Sequence, residues 1–374
     1  MTGSEEQPDL RVLAMVPSIY GVSPGERFRI EQWEPRLRDE GITITYAPFE
    51  STRLHEMLHT PGHVLAKSRE IGRALVRRAQ DIPTVHNFDL VYLYREAALV
   101  GPAVFERWIA RSGRPFVFDF DDAVFLTYRS PANGMLMRLK MPGKTATTCR
   151  LANHVMVGNS YLASYANRFN PRVTIVPTAI DLTRHVPHRT TADEGKPVIG
   201  WTGSHSTLQH LDIVRPALQA LAATRPFTLR VVGTSSYSVP GVDVDARPWA
   251  EQTEIADLLG IDIGIMPLPD DPWTRGKCAL KALQYMALEI PAVSSPVGVT
   301  TEFVRDGENG FLARNEEEWV DRVTRLLDSA ALRQRLGKAG RVTVAEQFDG
   351  AIHAGRVADI FRSVVRPMAR PGRS

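Results

Sequence analysis

A chain of 374 residues is too long for one ordinary hydrophobic core, so two domains of about 180 residues each are expected. Apolar residues make up 43% and charged residues 23%, a globular composition that excludes large-scale disorder. Forty-five Lys and Arg against forty-two Asp and Glu leave a formal charge of +3, which suits anionic ligands or lipid headgroups without requiring either and gives no indication of nucleic acid.

Cys149 and Cys278 stand far apart, with no second Cys or His at ligand spacing, so neither a disulfide framework nor a zinc site is supported. Polar and acidic residues lead up to Arg11, and no apolar run approaches the roughly 20 residues of a membrane span. A cytoplasmic protein is expected, with peripheral contact at the inner membrane face left open.

Short apolar runs alternate with amphipathic stretches from end to end, the pattern of parallel sheets with helices on their faces, so the fold class is α/β throughout. In the first half, strands are expected at Arg11–Pro17, Ile42–Ala47, Leu90–Tyr94, Phe116–Phe120, His154–Val157 and Val173–Val176. Helices are expected between them at Glu26–Glu40, Val64–Gln80, Pro102–Arg111, Met135–Ala152 and Tyr161–Phe169. The basic stretch Lys67–Arg78 reads as a solvated helix face.

After Asp181 the period lapses over Leu182–Pro197. Strands resume at Val198–Thr202, Leu229–Val232, Ile261–Met266, Ala292–Ser294 and Gly310–Leu312, with helices at Ser206–Ala223, Glu251–Leu259, Lys281–Leu288 and Glu316–Leu327. The expected division is an N-terminal Rossmann-like domain 1–181, a linker 182–197 and a C-terminal Rossmann-like domain 198–348. A helix within 349–366 is expected to return to the N-terminal domain, followed by a disordered tail 367–374.

Val198–Thr207, reading VIGWTGSHST, runs from a strand into a helix through Gly203 and the hydroxyls of Ser204, Ser206 and Thr207. Such a turn aims unpaired N–H groups at an anion, although Gly and Ser serve equally as ordinary turn and cap residues. Arg275–Ala287, reading RGKCALKALQYMA, places Arg275 and Lys277 before a helix that carries Lys281 and Gln284. Cations there oppose the helix dipole unless an anion is also bound, and Lys277 and Lys281, four apart, are spaced to share a diphosphate.

Lys277–Gly298, KCALKALQYMALEIPAVSSPVG, resembles the donor-site region of family-4 glycosyltransferases of the GT-B fold. Asp262–Pro269 (DIGIMPLP), Val304–Leu312 (VRDGENGFL) and Pro177–Asp181 (PTAID) agree with it. Ser23–Arg29 (SPGERFR) and Phe118–Phe125 (FDFDDAVF) are similar to a bacterial subgroup of the same family. The resemblance implies two Rossmann-like domains facing across a cleft, with a nucleoside-diphosphate sugar held mainly by the C-terminal one.

It further implies a diphosphate between the Gly203–Ser204 turn and Lys277 with Lys281, and a ribose at Gln284. The base is implied over the end of the Leu229–Gly233 strand near Trp249. Typical members carry two glutamates eight apart, whereas this chain has Gly276 and Gln284 at the matching positions. A Gln carbonyl still accepts a ribose hydroxyl, and Asp270 or Asp271, with Gly298, is left to meet the sugar. The Arg and Lys that typical members place after the first strand of this domain are replaced by Trp201, Ser204, His205 and His210, so Arg275, Lys277 and Lys281 are assigned the positive charge.

In the N-terminal half, Gly21 and Gly25 flank a loop after the first strand, while Arg95 and the trio Asp119, Asp121 and Asp122 end later strands. Asp-Phe-Asp also spells the metal-binding DxD of the other glycosyltransferase architecture. That reading leaves the Gly203 and Lys277 loops without a role, so the acidic residues are assigned to acceptor hydroxyls and neither metal nor cofactor is expected.

The implied activity is retaining sugar transfer to a carbohydrate, lipid-linked or small-molecule acceptor. Lys277, helped by Arg275 and the Gly203 turn, would stabilise the leaving diphosphate, and a β-phosphate oxygen would take the acceptor proton. Two alternatives stay open: a nucleotide-sugar epimerase or hydrolase on the same scaffold, and a non-catalytic nucleotide-sugar-binding protein.

Overall fold

The computed structural model describes residues 9–58, 62–126, 141, 143–188 and 195–365. Chain contacts divide it into one unit of residues 1–177 with 351–374 and a second of residues 178–350. The crossing points adjoin: Ile180 N–H donates to Phe348 O at 2.8 Å and Gly350 N–H to Ile180 O at 2.9 Å. The expected tail lies outside the described residues, as does part of the expected linker.

In the first unit, described strands β1 (Leu10–Val16), β2 (Ile42–Pro48), β3 (Leu90–Tyr94), β4 (Phe116–Phe120), β5 (His154–Val157) and β6 (Val173–Ile175) form a parallel sheet. Its order is β2-β1-β3-β4-β5-β6. Tyr92 and Val117 pack with Ile30, Trp33 and Leu37 and with Ala354, Val357 and Phe361 from the final helix, Gly350–Val365. Arg362 fastens that helix to Glu40 at 2.9 Å.

The second unit repeats the plan with β7 (Val198–Thr202), β8 (Thr228–Val232), β9 (Asp243–Arg247), β10 (Ile263–Met266), β11 (Ala292–Ser294) and β12 (Phe311–Leu312). The order β12-β11-β10-β7-β8-β9 is that of the Rossmann dinucleotide fold, read from its far edge. Ile199, Trp201, Leu229 and Ile263 face Leu218, Leu221 and Val323 in its core.

Two expected helices are interrupted. Glu26–Glu40 divides into Pro24–Arg29, a 3-10 turn Glu31–Trp33, and Glu34–Asp39, and Ser206–Ala223 becomes a 3-10 segment His205–Ile213 followed by Arg215–Ala222. Pro35 and Pro216 each sit in the first turn of the later helix, where a missing N–H is tolerated and a continuous helix is not. Of the expected Met135–Ala152 helix, Gly143–Leu151 is helical and residues 135–140 and 142 lie outside the described set.

Strand β9 and the helix Ala330–Gln347 are additions to the expected elements. The strand is an edge whose Asp243, Asp245 and Arg247 hide an apolar pattern. The helix buries Gly337, Gly340 and Thr343 between the apolar Leu336 and Val344, and Glu289 O and Met286 press against the two glycines.

Candidate functional site

Strand order in the C-terminal sheet reverses between β7 and β10, the switch point at whose carboxyl side open α/β sheets bind ligands. There β7 runs on into Gly203 and Ser204. Gly203 N–H donates to Val232 O at 2.9 Å. Gly233, with φ +132°, lies so close that a Cβ on it would fall 1.8 Å from Gly203 O. This corrects the expected role of the Gly203 turn: its own N–H is engaged by β8 and is not available to a phosphate. What remains to Gly203 is close approach, since a Cβ there would meet the Trp201 ring at 2.5 Å.

Beside the turn stands the helix Leu280–Ala287. Its Tyr285 is fully buried against Gly264, where any Cβ would strike the ring at 2.3 Å, and the phenol oxygen accepts Thr202 N–H at 3.0 Å. Burial raises the phenol's pKa above its ordinary value, so it stays protonated. That contact ties the helix to the end of β7 and sets Lys281, one turn earlier, with its Nζ 5.3 Å from the Trp201 ring centre. Lys277 Nζ lies 5.5 Å from the Trp273 ring centre. Between them Ala279 takes the left-handed φ of +54°, a strain on the order of 1 kcal/mol for a residue with a side chain.

Burial first, and then Lys277, pull the half-buried Lys281 down to about 7. His210, 8% exposed, is brought down to about 4 by burial and then by Lys277 and Lys281, with Asp271 opposing. These groups therefore feel one another across the carboxyl edge of β7. Gln284, 3% exposed, leaves its Nε2 without a hydrogen-bond partner among the described residues.

Other expected donor-site residues are engaged in specific pairs. Arg275 clasps Asp270 in two hydrogen bonds of 2.7 and 3.1 Å, both side chains largely in solvent. Asp271 caps the short helix Pro272–Arg275 by accepting Thr274 N–H at 2.8 Å. Gly298, φ +57°, lies against the Arg275 backbone, and a Cβ there would approach Arg275 O to 2.8 Å. Trp249 is half-buried on the β9 side, its Nε1 donating to Glu254 at 3.2 Å, and Gly233 N–H reaches Arg247 O nearby at 2.8 Å.

In the N-terminal unit the switch point lies between β1 and β3. Arg95 follows β3 with φ +57° and bonds Asp121 at 2.7–2.9 Å, while Tyr94 donates to the same carboxylate at 2.7 Å. Burial would raise Asp121, but Arg95 and Arg29 hold it below the usual carboxylate range. Gly25 brings backbone onto this pair, for a Cβ there would lie 2.4 Å from the Tyr94 hydroxyl. Gly21 N–H is held by both Glu31 oxygens at 3.1 Å, and Asp122 accepts Ala123 N–H at 3.1 Å.

Asp119 departs from expectation. It is fully buried, gripped by Arg29 at 2.5 and 3.1 Å and by Tyr92 at 2.5 Å, so it is closed to an acceptor and belongs to the core. A carboxyl not singled out from the sequence, Glu26, stands 1% exposed behind the loop with one oxygen accepting Ser18 N–H at 2.8 Å and Oε2 without a partner among the described residues. Burial above all pushes it up to about 8. It lies within the SPGERFR stretch, but nothing in that stretch signals burial.

Among the described residues no three His, Cys, Asp or Glu side chains are grouped to hold a metal, and no helix is long and apolar enough to cross a membrane. Two parallel Rossmann-like units of these orders make a GT-B fold. Residues 196–329 match the family model for glycosyl transferases group 1, so the C-terminal unit carries a glycosyltransferase domain of that group.

Three solved structures share the whole fold at low identity. Sucrose-phosphate synthase from Thermosynechococcus elongatus has 14% identity and TM-score 0.68, covering 94% of this chain and 98% of its own. A glycosyltransferase from Rickettsia africae has 14% identity and TM-score 0.67, covering 96% and 100%. Anabaena HepE, in complex with UDP and glucose, has 14% identity and TM-score 0.64, covering 95% and 100%. No curated protein sequence matches the chain.

Proposed function

We propose that this protein is a cytoplasmic, retaining hexosyltransferase that draws on a nucleoside-diphosphate sugar and needs no metal. The observation that carries the reading is the basic group at the β7 edge: Lys277, Lys281 and His210 lie within electrostatic reach of one another, and the carboxylate that reaches His210, Asp271, is occupied as a helix cap. A diphosphate supplies the charge this arrangement calls for. The ribose falls to Gln284, whose buried Nε2 has no hydrogen-bond partner among the described residues.

In this account Lys277 and Lys281 stabilise charge developing on the leaving diphosphate. The bond from the anomeric carbon to the β-phosphate breaks, the acceptor oxygen bonds to that carbon from the same face, and the acceptor's proton passes to a β-phosphate oxygen. Arg275 takes part by exchanging Asp270 for the diphosphate, which leaves Asp270 and Asp271 beside the sugar. Gly25, Arg95, Asp121 and Asp122 are assigned to acceptor hydroxyls. A lipid-linked acceptor would bring the protein to a membrane face, and exposed Val64 and Leu65, leading the basic helix Val64–Thr84, are the surface suited to it.

The test is thermal stabilisation by UDP, GDP, TDP and ADP, with and without EDTA, repeated on Lys277→Ala. A shift with one diphosphate that survives EDTA and disappears in the variant supports the reading. No shift with any of the four, or one that needs a divalent metal, overturns it.

A further inference from the structure

Two basic side chains of the C-terminal unit, the buried His210 and the half-buried Lys281, have no acidic partner in contact among the described residues. His210 is 8% exposed, yet among the described residues its ring nitrogens make no hydrogen bond. Lys281 makes no ion pair among the described residues, and its Nζ rests over the Trp201 ring. The charged groups facing them are Lys277, of the same sign, and Asp271, whose carboxylate accepts Thr274 N–H. Such a cluster is relieved in one of two ways, by giving up protons or by binding an anion.

We propose that Lys281 and His210 recognise the donor diphosphate by acquiring charge, His210 standing neutral and Lys281 partly neutral in the free protein at neutral pH and both taking up protons as the anion enters. This rests on the donor-site reading above and adds a mode of recognition to it. Burial and Lys277 bring Lys281 to about 7, and the same burial with both lysines brings His210 to about 4, so near neutral pH each has capacity to gain a proton. An incoming anion raises both, because it offsets the lysine repulsion and adds attraction of its own. A neutral sugar draws in no proton and a monoanion less than a diphosphate, so the site selects for charge number as well as shape.

The sign follows from linkage. A base whose pKa rises on binding carries more protons in the complex, so affinity is full below the free value and falls as pH rises through it. For Lys281 that means a loss approaching tenfold per pH unit above about 7.

The experiment is titration calorimetry with UDP-glucose, and with GDP-mannose and ADP-glucose in parallel, at pH 6 and pH 8 in pairs of buffers of different ionisation enthalpy. Their diphosphate is a diester with no proton to exchange in this range, so linked protons belong to the protein. Expected at pH 8 is uptake of up to about nine-tenths of a proton at Lys281, since that lysine is then mostly neutral. At pH 6 Lys281 is already charged, and the remaining uptake comes from His210 and is lost in His210→Gln. Lys281→Arg, permanently charged, binds with that lysine's uptake at pH 8 abolished and its fall in affinity removed.

Binding without linked protons, or wild-type uptake in Lys281→Arg, overturns this inference and leaves the donor site standing. Uptake unchanged by His210→Gln removes His210 from it. Failure of all three sugar nucleotides to bind overturns the donor-site reading and the inference together.

Discussion

Replacing Asp119 with Ala strands one of the most enclosed charges in the molecule. Arg29 and Asp119 are both fully buried and joined at 2.5 and 3.1 Å, Tyr92 donates to the same carboxylate at 2.5 Å, and Arg29 also reaches Val176 O. Without Asp119 the guanidinium keeps a backbone oxygen and the Trp33 ring, 5.6 Å away, and no anion is paired with it among the described residues. Breaking a buried pair from one side costs about 3–5 kcal/mol, a large part of the roughly 5–15 kcal/mol that holds a domain together. The loss is read by denaturant unfolding, with amide exchange in β4 assigning it to the N-terminal unit. The double replacement Arg29→Met with Asp119→Leu should regain much of it, because no charge is left unpaired. A loss under about 1 kcal/mol in Asp119→Ala would refute the structural role assigned here.

Three further outcomes are expected. Glu26, raised to about 8 by burial, binds its proton more tightly folded than unfolded, so the N-terminal unit should lose stability between about pH 5 and 8, by at most about 1.4 kcal/mol per unit. Glu26→Gln should flatten that slope in urea titrations; an unchanged slope contradicts the assignment. Gly233→Ala drives a Cβ to within 1.8 Å of Gly203 O at φ +132°, so about 2–5 kcal/mol of stability and the response to nucleoside diphosphates should be lost in thermal denaturation. Asp270→Asn releases Arg275 from an exposed pair, so stability should hold while UDP affinity stays equal or tightens in calorimetry. A clear weakening would mean that Asp270 positions Arg275 rather than restraining it.

The strands were the most legible part of the sequence, and the reason is burial on both faces. Val-Tyr-Leu of β3 or Ile-Gly-Ile-Met of β10 reads as a continuous apolar run because helices cover both sides of a parallel sheet. Strand β9 escaped because an edge tolerates Asp243, Asp245 and Arg247, and the helix Ala330–Gln347 escaped because Gly337, Gly340 and Thr343 break up the apolar face that Leu336 and Val344 belong to. Pro35 and Pro216 are plain in the sequence as helix interruptions, but an apolar period running across them masked the breaks.

At the candidate site, residue types and spacing brought Gly203, Lys277 and Lys281 forward, and the structure sets Lys277, in the loop before the helix Leu280–Ala287, within electrostatic reach of Lys281 across the left-handed Ala279 rather than along one helical turn. Pairing is a long-range property, and that is where expectation failed. That Gly203 N–H belongs to Val232 and that Asp119 is sealed beneath Arg29 depend on which elements pack together, whereas Arg275 turns to Asp270 only five residues back. Glu26 and His210 carry the same lesson, since burial gives each its unusual proton affinity.

The structure of the complex with UDP, prepared in EDTA, decides whether the β7 edge holds the donor. The diphosphate is expected at the carboxyl ends of β7 and β10, with phosphate oxygens within about 4 Å of the ammonium groups of Lys277 and Lys281. UDP bound anywhere else, or bound only through a divalent metal on Asp121 and Asp122, would contradict it.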